Sequence, residues 1–177
     1  MSRISITDYA FLLTETADSP RHVGSLQIFR PPAGYPGDFV GDLIAALRRH
    51  TVDKPFNQRL KVSLTGMPQW VPDRNFDLDY HVRRSELPAP GTRRQLADLA
   101  SRLHAYMLDR EHPLWELHFV EGLDDGYVVA RAPGVGGAQG LAHEPADSLG
   151  FCGLLLGAVA LPGDRPELPV EQEDPAA

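Results

Sequence analysis

Apolar and polar positions alternate most clearly from Trp115 onward. Trp115, Leu117 and Phe119 face one way, while Glu116, His118 and Glu121 lie off that face or beyond its end. The pattern predicts a strand entered from the polar turn 109–113, which Pro113 closes. Asp124-Asp125-Gly126 predicts a hairpin turn into a second β-rich stretch, Tyr127-Val128-Val129. Two helical stripes precede this hairpin. Asp38 can cap a helix with Phe39, Val40, Leu43, Ile44 and Leu47 on one face, and Thr92 with Gln95 makes a capping box. The helix from Thr92 is expected to bury Leu96, Leu99, Ala100, Leu103, Tyr106 and Met107. A short helix over 6–13 with Thr7 or Asp8 as its cap is predicted near the start. Strands are predicted over 22–29, 59–64, 68–71 and 79–84.

Strands interleaved with amphipathic helices and closed by a hairpin point to an α/β fold, a two-layer sandwich of mixed sheet and helices. Its expected core includes Phe11, Leu26, Ile28, Leu43, Leu47, Leu78, Leu96, Leu99, Leu103, Trp115, Leu117 and Phe119. Beyond Val129 neither period persists, and glycine and proline become frequent. The expected division is a domain over 1–131 and an irregular tail over 132–177.

Charge sharpens that division. The net charge is −7, which argues against a nucleic-acid binder acting through a basic patch. Residues 1–126 hold 15 Lys/Arg and 17 Asp/Glu, whereas 127–177 hold 2 and 7. Cys152 is the single cysteine, so no internal disulfide is expected, and no Cys/His cluster has zinc spacing. The residues from Met1 to Asp8 lack the apolar core of a signal peptide. The longest apolar run, 149–161, is shorter than the roughly 20 residues of a membrane span. A cytoplasmic protein, soluble or peripheral to membrane, is expected.

Several segments, taken in order, carry a family resemblance. They are Ser5-Ile6-Thr7-Asp8-Tyr9-Ala10-Phe11-Leu12, His22-Val23-Gly24, Trp70-Val71-Pro72-Asp73 and Phe76-Asp77-Leu78-Asp79-Tyr80-His81-Val82-Arg83. Leu87-Pro88-Ala89-Pro90-Gly91, Ser101-Arg102-Leu103-His104, Leu108-Asp109-Arg110 and Pro113-Leu114-Trp115-Glu116 follow. Together, over 3–129, they resemble the N-terminal part of the bacterial wax ester synthase/diacylglycerol O-acyltransferase family, within the chloramphenicol-acetyltransferase-like superfamily. The resemblance implies a partial CoA-dependent acyltransferase-like fold. It also implies transfer of a fatty acyl group from acyl-CoA to diacylglycerol or a fatty alcohol, without metal or prosthetic group. Contact with a membrane or lipid-droplet surface is a further expectation, and a non-catalytic lipid- or protein-binding remnant is the alternative.

In that family a His-His-x-x-x-Asp-Gly motif follows the hairpin and supplies the base that takes the proton of the attacking hydroxyl. Here the chain continues Ala130-Arg131-Ala132-Pro133-Gly134-Val135-Gly136-Gly137. No catalytic residue is therefore assigned, and an inactive chain, truncated before the motif, is expected. The run 132–137 can be encoded as GCACCAGGCGTTGGTGGA. Read from its second base, with the G that opens the next codon, this gives His-Gln-Ala-Leu-Val-Glu, close to the family's motif. A shifted frame is thus one origin for the tail.

His81 is the substrate-binding candidate. The resemblance places it near the acyl tunnel, and the plainer alternative is a strand histidine with a satisfied hydrogen bond. His104 reads as a rim residue, His118 and His22 as structural, and His143 lacks an acidic partner at triad or metal spacing. The run 134–140 resembles a phosphate loop but lacks the Lys-Ser/Thr such a loop needs. Arg83-Arg84 and Arg93-Arg94 could meet CoA phosphates or lie on a solvated face.

Overall fold

The computed structural model describes residues 2–63 and 66–134. Strand β1 (Ser2–Arg3) leads into helix α1 (Ile6–Thr14), followed by β2 (Val23–Phe29) and α2 (Phe39–Arg49). The hairpin β3 (Gln58–Ser63) and β4 (Gly66–Pro72) comes next, then the single helical turn α3 (Leu78–His81) running into β5 (Val82–Glu86). Helix α4 (Arg93–His104) precedes the hairpin β6 (Leu117–Glu121) and β7 (Val128–Gly134). A three-stranded sheet has the order β1-β4-β3, and a four-stranded sheet the order β2-β7-β6-β5. In the larger sheet β5 and β6 run parallel and the other pairs antiparallel, so the sheet is mixed.

The alternation read from the sequence sets the two faces of this larger sheet. Leu117, Phe119, Val128 and Ala130 turn to one side and meet Val40, Leu43, Ile44, Ala46 and Leu47 of α2. Val120 and Val129 turn to the other and meet Leu96 and Leu99 of α4, with Leu87 and Leu123. The smaller sheet packs Leu60 and Trp70 against Ile4, Leu12, Leu108 and Leu114. Burial of side chains such as Phe119 or Leu117 contributes on the order of 1.5–3 kcal/mol each.

Gly91 ties α4 to the β6–β7 hairpin. At φ 76° a Cβ there would stand 1.8 Å from the Gly122 carbonyl oxygen, and the Gly91 carbonyl accepts the Asp124 amide at 3.0 Å. Only a residue without a side chain allows this approach. The turn into β7 uses Gly126 at φ 74°.

The structure departs from the sequence reading at several points. Ser5 caps α1, accepting the Asp8 amide on its hydroxyl at 3.0 Å, because Ser5 is extended while Thr7 and Asp8 already lie inside the helix. Asp8 and Leu12, one turn apart, share the inward stripe. Phe11 therefore points away and is 43% exposed. Tyr106 and Met107 are exposed rather than buried, since α4 ends at His104 and its stripe ends with it. Leu26 and Ile28 are exposed because β2 is an edge strand that α4 does not reach. The strand expected over 79–84 begins as a helical turn, closed by the Val82 amide on the Leu78 carbonyl and capped by Asp77. Finally, β7 pairs with β2 as far as Gly134, so 132–134 of the expected tail belong to the sheet. Residues 135–177, with His143, Cys152 and most of the glycine-rich run, lie outside the described residues.

Candidate functional site

His81 closes α3, and its ring is fully buried. It stacks on Trp115 at 4.3 Å between centroids and on Phe76 at 5.1 Å. Its Nδ1–H donates to the Trp115 carbonyl oxygen at 2.8 Å; a carbonyl can only accept, so the bond fixes the tautomer. Burial pushes the imidazole below its ordinary pKa, partly opposed by that bond. The neutral ring then carries a bare Nε2, which finds no partner among the described residues. Trp115 donates its indole N–H to the Phe56 carbonyl at 2.7 Å and bridges Gly134 at the end of β7. His81 thus fixes the backbone at the entry to β6, where Trp115 itself bridges the end of β7.

The aromatic packing continues outward. Tyr80 lies edge-on to His81 and stacks on His112 at 3.9 Å. His112 is one wall of a cleft of about 570 Å³, together with Arg59, Lys61, Arg74, Asp73 and Glu111. The sequence reading missed His112 and this cleft. The three basic residues come from β3 and from the loop after β4, and only the fold brings them to the 109–113 turn.

A second polar cluster lies on the α4 side of the larger sheet. His22 is buried, meets His104 edge-on at 4.5 Å, and neither of its ring nitrogens has a partner among the described residues. Burial first, then the charges of His104 and Arg131, push its pKa down against Glu15 and Glu116. His104 Nδ1 accepts from Arg131 Nη2 at 3.1 Å, and burial lowers the pKa of His104. Arg131, itself buried, lies across the strands from His118. His118 Nε2 is 2.7 Å from Glu116, and the other Glu116 oxygen is 3.9 Å from Arg83. Burial raises the Glu116 carboxyl, but His118 and Arg83 more than offset this and leave it below its ordinary range.

The arginines anticipated as phosphate contacts are largely engaged within the fold. Arg84 bonds Asp38 and Glu121, Arg93 bonds Asp125, and Arg83 reaches Glu116 and the Tyr80 carbonyl. Among the described residues, no three His, Cys, Asp or Glu side chains converge as a metal site. No described helix is long and apolar enough to cross a membrane.

Superposition on solved structures shows an α/β domain of the CoA-dependent acyltransferase and condensation-domain fold. The tallysomycin biosynthesis protein TlmII superposes at TM-score 0.64 with 17% identity, covering 89% of this chain and 37% of its own, a likeness of fold alone. The profile of the wax ester synthase/diacylglycerol acyltransferase catalytic domain matches residues 4–130, and the chain belongs to this family. The wax ester synthase/diacylglycerol acyltransferase of Marinobacter aquaeolei VT8 superposes at TM-score 0.73 with 40% identity, over 80% of this chain and 36% of that one. A Mycobacterium tuberculosis protein named "Probable diacyglycerol O-acyltransferase tgs2" is 44% identical over 122 residues, 67% of this chain and 27% of its own. The chain thus spans about a quarter of the length of the curated relatives it matches.

Proposed function

We propose that residues 1–131 are the N-terminal acyltransferase-like domain of an enzyme that moves a fatty acyl group from acyl-CoA to diacylglycerol or a fatty alcohol. The observation that carries this reading is the agreement with the Marinobacter enzyme in sequence and backbone together. In such a transfer the hydroxyl oxygen attacks the thioester carbonyl, the C–S bond breaks, and the hydroxyl proton passes through a base to the departing thiolate. A hydroxyl of high pKa needs that base near neutrality and within hydrogen-bond reach.

The chain as written holds no His-His pair. His81 is neutral but sealed from solvent, with its one free nitrogen inside the fold. Its contribution in this reading is to position Trp115, and through it the end of β7, beside the bound substrate. We expect the 177-residue chain to be inactive, because general-base assistance is typically worth about 10²–10⁴-fold. We further propose that 132–177 is read in a shifted frame.

Two measurements test this. Purified chain is assayed with radiolabelled acyl-CoA and diolein or hexadecanol, and the coding DNA is read past the codon for Glu121. The expected result is no transfer above background, with an open alternative frame that carries a paired-histidine motif. Restoring that frame should restore transfer. Transfer by the unaltered chain would refute the inactivity, and stops throughout the other frame would refute the frame shift.

Exposed apolar side chains favour a second reading, lipid-surface contact without catalysis. Ile6 is 83% exposed, with Leu13 one face-repeat along α1, and Tyr106 is 70% exposed. Flotation with triolein emulsions is the test; a chain that stays wholly in the aqueous fraction removes this reading.

A further inference from the structure

We propose that the cleft between the β3–β4 hairpin and the 109–113 turn binds the phosphate groups of coenzyme A. The ligand's identity rests on the acyl-transfer reading above; the site itself rests on geometry and charge. Three cationic side chains, Arg59, Lys61 and Arg74, line a volume of about 570 Å³, large enough for a phosphorylated small molecule.

The wall also carries two carboxylates, Asp73 and Glu111. Asp73 accepts the Asn75 amide at 3.0 Å, holding the loop that carries Arg74. Glu111 stands 3.7 Å from Arg59, at the long end of ion-pair range, with its side chain 85% exposed. No ion pair engages Lys61 or Arg74 among the described residues, and with Arg59 they outnumber the two carboxylates of the wall, Asp73 and Glu111, so the cleft keeps a net positive charge. By contrast Arg83, Arg84 and Arg93 all have carboxylate partners. A cluster of cations in a concave site focuses field on an anion far more than scattered surface cations do.

The floor is also built. The His112 ring is fixed face to face on Tyr80, Tyr80 lies against His81, and His81 stacks on Trp115. The wall of the cleft is therefore coupled through ring contacts to the end of β7, which Trp115 bridges at Gly134.

The experiment is calorimetric titration of the full chain with coenzyme A, 3′-dephospho-coenzyme A and inorganic pyrophosphate, alongside sedimentation with phosphatidylglycerol vesicles. The variants are the double charge reversal K61E/R74E and, as a control, R93Q. Both cleft residues are exposed, and thermal melts verify that the double variant folds; the milder K61A/R74A replaces it if it does not. The expected result is competitive binding of coenzyme A and pyrophosphate, weakened about tenfold or more by the reversal, weakened by added salt, and unchanged in R93Q. Equal affinity of wild type and double variant for coenzyme A would overturn the site while leaving acyl transfer standing. Binding of vesicles but of no free phosphate probe, or of no probe at all, would overturn it as well. Binding as expected, with no acyl transfer after frame restoration, would keep the site and remove the acyltransferase reading.

Discussion

On the α2 side of the four-stranded sheet, Leu117, Phe119, Val128 and Ala130 meet an uninterrupted row of aliphatic side chains. On the α4 side, Val120 and Val129 are covered by Leu96 and Leu99, but two residues further along the same strands lie His118 and Arg131, also buried. The same hairpin therefore packs one face on α2 through apolar side chains and mixes apolar with buried polar side chains on the other. Apolar packing gains from every contact, whereas each buried polar group costs free energy unless it is paired. Among the described residues His22 and Arg131 retain unpartnered nitrogens, so the α4 face should be the weaker of the two.

The largest expected effect is on the α2 face. Phe119 is wholly buried in the centre of that cluster, and Phe119→Ala should cost about 3–5 kcal/mol in urea unfolding. A cost under about 1 kcal/mol would mean that this face is not the main source of stability, and the contrast would collapse.

Next in size is the joint that holds α4 in place. Gly91→Ala forces a Cβ against the Gly122 carbonyl at a positive φ. A loss of about 2–4 kcal/mol is expected, measured by thermal melting, with faster amide exchange in α4 than in α2. Uniform exchange in both helices would count against separate anchoring of the α4 layer.

The α2 face was legible in the sequence because a strict period of two and a helical stripe both encode it: Trp115, Leu117 and Phe119 against Leu43 and Leu47. The capping box at Thr92 was legible for the same local reason, and both of its bonds form. Phe11 and Leu26 were misread because apolar identity does not say which side of an element meets a neighbour. That depended on Asp8 turning inward and on β2 lying at an edge. The candidate site was less legible. His81 stood out in its motif, but its burial under Trp115 and the cleft of Arg59, Lys61, Arg74 and His112 join residues far apart in the chain.

The pH prediction bears on both faces, since His22 packs against His104 of α4 and His81 against Trp115 of the α2-side core. His22 and His81 hold folded-state pKa values below their ordinary 6.5, chiefly through burial. The unfolded chain therefore takes up more protons as pH falls. Stability that is fully present above pH 6.5 is lost as pH drops through that value towards the folded pKa. Each such histidine can contribute up to about 1.4 kcal/mol per pH unit. Glu116, held low, acts in the same sense further into acid. Asp8 is raised by burial, so its contribution runs the opposite way, near the carboxylate range. Melting temperature should fall between pH 7 and pH 5.5, and His22→Leu should flatten that fall; an unchanged slope in the variant would remove His22 from the account.

The smallest expected effect is the most discriminating. Arg131 is buried, its bonded partner is the neutral ring of His104, and burial pulls its pKa down against the attraction of Glu116. Arg131→Met keeps a long side chain in the β7 row and removes the desolvated charge. Glu116 keeps His118 at 2.7 Å and Arg83 at 3.9 Å, so no carboxylate is stranded. Replacing a buried charge by an apolar group of similar volume is commonly neutral or stabilising, and a change within about 1 kcal/mol at pH 7 is expected. At pH 5.5 the variant should be more stable than the parent. The Arg131 charge disfavours protonation of both His22 and His104, and its removal narrows the gap to their unfolded values. A loss of more than about 2 kcal/mol at pH 7 would show instead that the guanidinium is paired in the working fold. The α4 face would then be held by charge as firmly as the α2 face is held by Phe119.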